Sequence, residues 1–312
     1  MYFSQAKKGS LLLIFLSALL ISINTQAIEL YKGVILDVET QQVIIASNES
    51  RIDSLDIESG QVNWSSKSAQ LPLAVADSEL YSQSSAESAN ELVIVKTNTN
   101  GEFVEKQSFT MAAKVRPVLQ ETLETKFTLN SIPNTNKKSN EITFQWAYKN
   151  QIAQGMKSET APKPITSFGN MKLSDNSLKS AQIKAINSDQ IKRPTHHQAD
   201  FLKGVEGRQF KSISGNYILA SRSLNNSNFN KYEWDIYEIS GKLLGTIKTH
   251  TSFRPFEVVA GQLLFVDTSV VQWVKKKYKT EPLSVKSFSL KDSKLSWKKE
   301  VRDFSYTGPL PH

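Results

Sequence analysis

Short apolar runs separated by turn residues recur along the chain after residue 27. The clearest unit lies between Val43 and Trp64, where three short runs are joined by polar turns at 48–50 and 58–60. Runs of this length that are rich in β-branched residues and bounded by Asn, Ser and Gly are typical of antiparallel strands. Helical periodicity is scarce in the same region. The pattern therefore predicts an all-β chain.

The order of strand, strand, turn and strand recurs in four further units. The last turns of the five units lie at positions 60, 101, 177, 241 and 293, so successive turns are 41, 76, 64 and 52 residues apart. A period of about 40 to 50 residues is typical of propeller blades. We predict a β-propeller of five to seven irregular four-stranded blades, closed with the help of a strand at 34–37. A β-sandwich with long loops is the alternative.

The wide gaps between the later turns require insertions. Polar stretches with prolines and lysines lie near 131–140, 155–166 and 180–203, and such stretches are typical of loops. We expect residues 28–312 to form a single propeller domain that carries these three insertions.

The first 27 residues have the features of a cleaved secretory signal. Lys7 and Lys8 precede an apolar run at 11–23, and small residues follow at 25–27. The run has 13 residues, whereas a membrane-spanning helix needs about 20, so no transmembrane segment is expected after cleavage. The chain contains no cysteine, which excludes disulfides, thiolate sites and lipid attachment through a thiol. We predict an exported protein, either periplasmic or secreted.

The charge balance is moderately basic. The formal net charge is +8, and it becomes +6 without residues 1–27, which contain two lysines and no acid. This excess favours anionic neighbours such as lipid head groups or cell-wall polymers, and we expect no specific recognition of nucleic acid. One dense cluster suits an anionic polymer or lipid, although lysines at a hairpin tip also keep a sheet soluble. It comprises Trp273, Lys275, Lys276, Lys277 and Lys279.

A motif in the first unit adds a family resemblance. Asp56, Gly60 and Trp64 have the spacing D-x-x-x-G-x-x-x-W, which resembles the tryptophan-docking repeat of pyrroloquinoline-quinone-type propellers. In that family the glycine forms the turn between the last two strands of a blade, and the tryptophan packs against the next blade. The resemblance implies these roles for Gly60 and Trp64. Glycine suits such a turn because it adopts positive φ without steric cost.

Later units keep the motif in part. Gly101 and Gly241 stand at turn positions and Trp297 at a docking position, whereas Ser293 and Gly245 stand where a glycine and a tryptophan are expected. The chain from residue 28 also resembles a group of exported bacterial proteins with quinone-binding-like propeller repeats, for which no role is known. The resemblance therefore implies a fold rather than an activity.

Enzymes of the quinoprotein family are longer, eight-bladed chains whose axial site uses calcium, Glu and Asn ligands, an Asp base and often a vicinal disulfide. No set of residues here matches that site, so we expect neither pyrroloquinoline quinone nor calcium, and we assign no catalytic or cofactor-binding residue. His196, His197 and Asp200 have the chemistry of metal ligands. Adjacent histidines point in different directions on most backbones, and a solvated surface tract is the favoured interpretation.

These observations predict a non-catalytic binding or scaffolding propeller of the bacterial cell envelope, whose partner is an envelope protein or an anionic polymer. The outer-membrane assembly propeller is similar in this respect, but it is lipidated through a cysteine that this chain lacks. Two alternatives stay open. One is a small quinone- or metal-dependent propeller enzyme, and the other is a module that binds anionic polymer or lipid.

Overall fold

The computed structural model describes residues 27–86, 91–110, 127–132, 142–149, 166–174, 177–186, 202–223, 232–249, 255–267, 270–274 and 277–304. Within these ranges, 23 strands form five antiparallel sheets of four or five strands and one two-stranded hairpin. The one short helix in the same ranges is a 3-10 turn at Leu178–Ser180. The all-β prediction is therefore confirmed.

Each large sheet is a meander of strands taken in chain order. Sheet 1 comprises β1 (Ile28–Tyr31), β2 (Val34–Asp37), β3 (Gln42–Ala46), β4 (Ile52–Asp56) and β5 (Val62–Ser66). Sheet 2 comprises β6 (Leu71–Ala76), β7 (Glu79–Ser84), β8 (Glu91–Asn98) and β9 (Phe103–Thr110). Sheet 3 comprises β10 (Phe127–Ile132), β11 (Ile142–Lys149), β12 (Thr166–Leu173) and β13 (Gln182–Ile186).

The last two sheets follow the same plan. Sheet 4 comprises β14 (Arg208–Lys211), β15 (Tyr217–Ser223), β16 (Tyr232–Glu238) and β17 (Leu243–Thr249). Sheet 5 comprises β18 (Phe256–Val259), β19 (Gln262–Asp267), β22 (Ser284–Ser289) and β23 (Lys294–Glu300). The hairpin of β20 (Val270–Val274) and β21 (Lys277–Glu281) lies in the chain between β19 and β22.

Neighbouring sheets share hydrophobic cores because their strands are apolar on both faces. In β3, Val43 and Ile45 lie in a core shared with sheet 5, whereas Ile44 between them lies in a core shared with sheet 2. Two further cores join sheet 2 to sheet 3 and sheet 4 to sheet 5. The described sheets are thus stacked in the order 4, 5, 1, 2, 3. Five meanders packed face to face in the described part of the chain have the arrangement of propeller blades, and a two-sheet sandwich is excluded.

The first and last sheets meet without any chain connection between them. Val34 and Leu36 of β2 share a core with Leu264 and Val266 of β19. Beyond β23, the backbone N–H of Arg302 donates to the carbonyl oxygen of Ala46 at 2.9 Å. The packing of β2 therefore contributes to the contact that brings the two ends of the described chain together.

The three polar insertions are shorter than the sequence indicates. Gln182–Ile186 lies inside the stretch predicted as an insertion at 180–203, yet it forms β13. The reason is that Ile183 pairs with Met171 of β12 and packs against the core of sheets 2 and 3. Likewise, Ile132 belongs to β10 and Thr166 to β12. Of the three predicted insertions, residues 133–140, 155–165 and 187–201 lie outside the described residues.

Residues 1–26 of the signal predicted at 1–27 also lie outside the described residues. Among the residues that the structure does describe, no helix is long and apolar enough to cross a membrane.

Candidate functional site

Four of the sheets repeat one arrangement of turns. In sheets 1, 2, 4 and 5, the inner turn joins β2–β3, β6–β7, β14–β15 or β18–β19, and the outer turn joins the last two strands. A backbone N–H of the outer turn donates to a carbonyl oxygen of the inner turn in every case. The pairs are Ile57 to Gln41 (3.2 Å), Thr99 to Ser78 (3.2 Å), Ile239 to Asn216 (3.0 Å) and Leu290 to Gly261 (3.0 Å). We call the surface formed by these eight turns the turn face.

The outer turn of sheet 1 is held by its aspartate. The Ser59 backbone N–H and the Ser59 hydroxyl both donate to Asp56 Oδ1 at 2.7 Å. The bond from the hydroxyl, and after it the bond from the backbone N–H, hold the pKa of Asp56 below its usual range because they stabilise the carboxylate. Gly60 ends the turn with φ of 67°. The D-x-x-x-G part of the motif therefore forms a self-bonded turn.

Trp64 packs against the outer turn of the next sheet. Its Nε1 donates to the carbonyl oxygen of Thr99 at 2.8 Å. A Cβ atom added to Gly101 would lie 2.6 Å from two atoms of the Trp64 ring, and Gly101 has φ of 83°. A glycine is required at this position for two reasons, the backbone conformation and the close approach of the indole.

Trp297 makes the same contact between the last sheet and the first. Its Nε1 donates to the carbonyl oxygen of Ile57 at 2.8 Å, across 240 residues of chain. The side chain is only 8% exposed, and a Cβ atom on Gly60 would lie 2.5 Å from its ring. Docked tryptophans thus join sheet 5 to sheet 1 and sheet 1 to sheet 2.

The junction of sheets 4 and 5 uses different residues at these two positions. A register shift in the outer hairpin of the four sheets identifies the positions equivalent to Trp64 as Glu105, Gly245 and Trp297. A Cβ atom on Gly245 would lie 2.9 Å from the Oγ atom of Ser293, which stands at the turn position of sheet 5 with φ of 55°. The two departures from the sequence motif therefore face each other.

Gly241 has a simpler role than Gly60 or Gly101. It has φ of 93° in the outer turn of sheet 4, but the nearest atom to an added Cβ would be Leu202 Cδ2 at 3.8 Å. The glycine is thus needed for the turn conformation alone.

The buried carboxylates have hydrogen-bonding partners in their own sheet or in the adjacent one. Asp53 accepts a hydrogen bond from the Ser65 hydroxyl, and Asp235 accepts one from the Thr246 hydroxyl, both at 2.7 Å between directly paired residues. Further bonds of this kind join Arg51 to Asp53, Arg222 to Asp235, Lys286 to Asp267 and Ser214 to Glu257. The partners lie on neighbouring strands, two residues away in the case of Arg51 and Asp53, or in the adjacent sheet in the case of Ser214 and Glu257, so these buried charges are partnered.

Exposed apolar side chains are concentrated at the turn face. The large hydrophobic residues that are exposed in the described part of the chain lie in its turns or at the beginning of an outer strand. They are Val62, Phe103, Val104, Ile213, Ile239, Leu243 and Leu295. Four of them, Val62, Phe103, Leu243 and Leu295, stand two residues after the turn positions 60, 101, 241 and 293. This group was not predicted from the sequence, although its constant distance from the turn position is visible there.

The other candidate residues are placed in part. His196, His197 and Asp200 lie outside the described residues, as do Lys275 and Lys276. Trp273 lies in β20, and Lys277 and Lys279 lie in β21. In the described ranges, no group of three or more His, Cys, Asp or Glu residues could hold a metal ion. The metal and anionic-partner assignments stay predictions.

No protein-family model matches the chain, and no curated protein is significantly similar to it. Among solved structures, the Pan2 WD40 domain of Neurospora crassa is 9% identical over 86% of this chain, which spans 66% of that domain, just under two thirds, with a TM-score of 0.28. A europium-containing methanol dehydrogenase is 12% identical (86% and 68% coverage, TM-score 0.24). BamB from Moraxella catarrhalis is 11% identical (76% of each chain, TM-score 0.24).

Proposed function

We propose that this chain is a non-catalytic β-propeller that binds or scaffolds other proteins in the bacterial cell envelope. The observation that carries the proposal is the repeated exposure of Val62, Phe103, Leu243 and Leu295 at one position of the outer strands. Scattered exposed apolar residues need no explanation, but apolar residues gathered on one surface are typical of interaction sites. Their regular placement on four blades favours a binding face.

The charged groups support the same proposal. The buried carboxylates Asp53, Asp235 and Glu257 have hydrogen-bonding partners in neighbouring strands or turns. These carboxylates therefore stabilise the blades, and we assign the contact with a partner to the exposed apolar residues of the turn face. We expect export through the segment at 1–27 and no bound cofactor, in keeping with the sequence.

Site-specific photo-cross-linking in cells of the source organism tests the proposal. A photoreactive residue is introduced at Phe103 on the turn face, and at Glu49 as a matched control, because Glu49 is also exposed but lies in the β3–β4 turn at the other end of the strands. We expect Phe103 to form a discrete adduct with one envelope protein and Glu49 to form none. The proposal fails if photoreactive residues at Val62, Phe103, Leu243 and Leu295 form no cross-link to another protein.

A further inference from the structure

The turn face is not uniform around the propeller, and its part on sheets 1 and 2 combines exposed apolar residues with negative charge. Phe103 is 61% exposed, Val104 46% and Val62 45%. Val62 lies two residues before Trp64, and Phe103 lies two residues after Gly101, which the indole of Trp64 contacts. The docked tryptophan therefore packs the outer turn of sheet 2, which leads into Phe103, against β5, the strand that begins at Val62.

The turns beside these residues are acidic. The inner and outer turns of sheets 1 and 2, at 37–42, 56–61, 76–79 and 98–102, contain seven acidic residues and no lysine or arginine. Asp37 is buried and Glu79 pairs with Lys96 at 2.9 Å. Four of the others are exposed, namely Glu39, Glu58, Asp77 and Glu102. This concentration of acids occurs in a chain whose net charge is +8.

Sheets 4 and 5 provide an internal comparison. Their outer turns, at 238–242 and 290–294, contain Lys242, Lys291 and Lys294 beside Glu238 and Asp292. Leu243 and Leu295 thus occupy the same position as Phe103 in surroundings of mixed charge. Negative charge beside the exposed apolar position distinguishes sheets 1 and 2.

We propose that the turn face of sheets 1 and 2 is the docking site for a segment of a partner protein that carries apolar side chains among lysines or arginines. Exposed Phe103, Val104 and Val62 would be covered by the apolar side chains, and the acidic turns would attract the basic ones. Complementary charge of this kind increases the rate of association and selects the partner. Anionic lipid head groups would be repelled by the same acids. The inference rests on the proposed function and names the chemistry of its partner.

A peptide titration with the purified chain tests the site. The probe is a dye-labelled peptide of alternating Leu and Lys, followed by fluorescence anisotropy, with Leu–Glu and Ser–Lys peptides as probes of the charge and apolar contributions. We expect only the Leu–Lys peptide to bind. Phe103→Ser should weaken its binding about tenfold, which corresponds to about 1.4 kcal/mol. The matched variant Leu243→Ser, at the equivalent exposed position of sheet 4, should leave binding unchanged.

Charge reversal provides a second variant that does not alter the apolar residues. Glu39→Lys with Glu58→Lys should weaken the Leu–Lys peptide several-fold at low salt, with a smaller difference at high salt because surface charges are screened. Glu238→Lys in the outer turn of sheet 4 is the control. Circular dichroism of every variant verifies that the sheets are retained.

Three outcomes would overturn the inference. The Leu–Lys peptide could fail to bind, or it could be weakened equally by Leu243→Ser and Phe103→Ser. Sedimentation could instead show a dimer that Phe103→Ser dissociates, in which case a second copy of the chain covers the surface. The proposed binding function is decided separately by the cross-linking in cells, where an adduct at Leu243 or Leu295 but none at Phe103 would retain that function and move the site.

Discussion

At two junctions of the propeller, between sheets 5 and 1 and between sheets 4 and 5, the docking position of one sheet faces the turn position of the next. The side chains at these two positions differ in size between the junctions. At the first, Trp297 packs on Gly60, whose added Cβ would lie 2.5 Å from the ring. At the second, Gly245 faces Ser293, and a Cβ atom added to Gly245 would lie 2.9 Å from the Ser293 Oγ atom. One of the two facing residues is a glycine in both cases, at the turn position (Gly60) in the first junction and at the docking position (Gly245) in the second. At the junction of sheets 4 and 5 the serine at the turn position faces a docking position without a side chain, so we expect these two positions to depend on each other.

Removal of a docked tryptophan should have the largest effect. Trp297→Ala should lower the free energy of unfolding by about 3–5 kcal/mol, the usual cost of truncating a large buried aromatic residue, and Trp64→Ala by the lower end of this range, since Trp64 is half-buried. Urea denaturation followed by circular dichroism measures both. Leu295→Ala is the control on the same strand, because Leu295 is exposed. An unchanged midpoint for Trp297→Ala would contradict the role of the indole in closing the ring.

Gly60→Ala and Gly241→Ala separate close approach from backbone conformation. Both glycines have positive φ, so each alanine should cost about 1–2 kcal/mol for the left-handed conformation. Only at Gly60 does the new methyl group meet a tryptophan ring, and overpacking there should add about 1–3 kcal/mol. Thermal unfolding of the two variants measures the difference. Equal losses would show that the Trp297 ring moves away freely.

An exchange of residues at the junction of sheets 4 and 5 should make it resemble the other two. Gly245→Trp alone should destabilise the chain because the indole meets the Ser293 side chain, whereas Gly245→Trp with Ser293→Gly should recover part of the loss. A double-mutant cycle from urea denaturation should give a favourable coupling of about 1 kcal/mol. Gly245→Trp with Ser240→Gly is the control, because Ser240 lies in the outer turn of sheet 4, and this pair should show no coupling. Additive effects in the first cycle would mean that the two positions are independent.

The sequence predicted the blades more completely than the contacts between them. The local motif at Asp56, Gly60 and Trp64 indicates a turn and a docking residue, but it does not reveal that Trp64 meets Gly101 and that Gly60 meets Trp297. These pairs form only when the sheets stack, and the second spans 240 residues. For the same reason Gly245 and Ser293 look like unrelated losses in the sequence.

The strands missed by sequence analysis have a similar explanation. β13 at Gln182–Ile186 lies in a polar stretch without a strong apolar pattern, and its pairing with β12 places Ile183 against the core. The exposed position two residues after each turn was visible in the sequence. Its exposure was not, because the inward or outward direction of an outer strand depends on the neighbouring sheet.

The smallest effect concerns the pH dependence of the Asp56 turn. Hydrogen bonds from Ser59 lower the pKa of Asp56 in the folded chain, so the carboxylate stabilises the fold above the pKa of the unfolded chain, and this contribution is lost as pH falls through the folded pKa. Asn98 occupies the equivalent position in sheet 2, where its Oδ1 accepts hydrogen bonds from the backbone of its own turn without an ionisable group.

Asp56→Asn should therefore reduce stability at pH 7 by less than about 1 kcal/mol, because the carboxylate is screened by solvent. The difference between the two chains should shrink as pH falls from about 5 to about 3, around the ordinary pKa of aspartate. Thermal unfolding of both chains across this interval measures it, and since every other carboxylate is common to both, a difference that stays constant with pH would show that the Asp56 charge does not stabilise the turn.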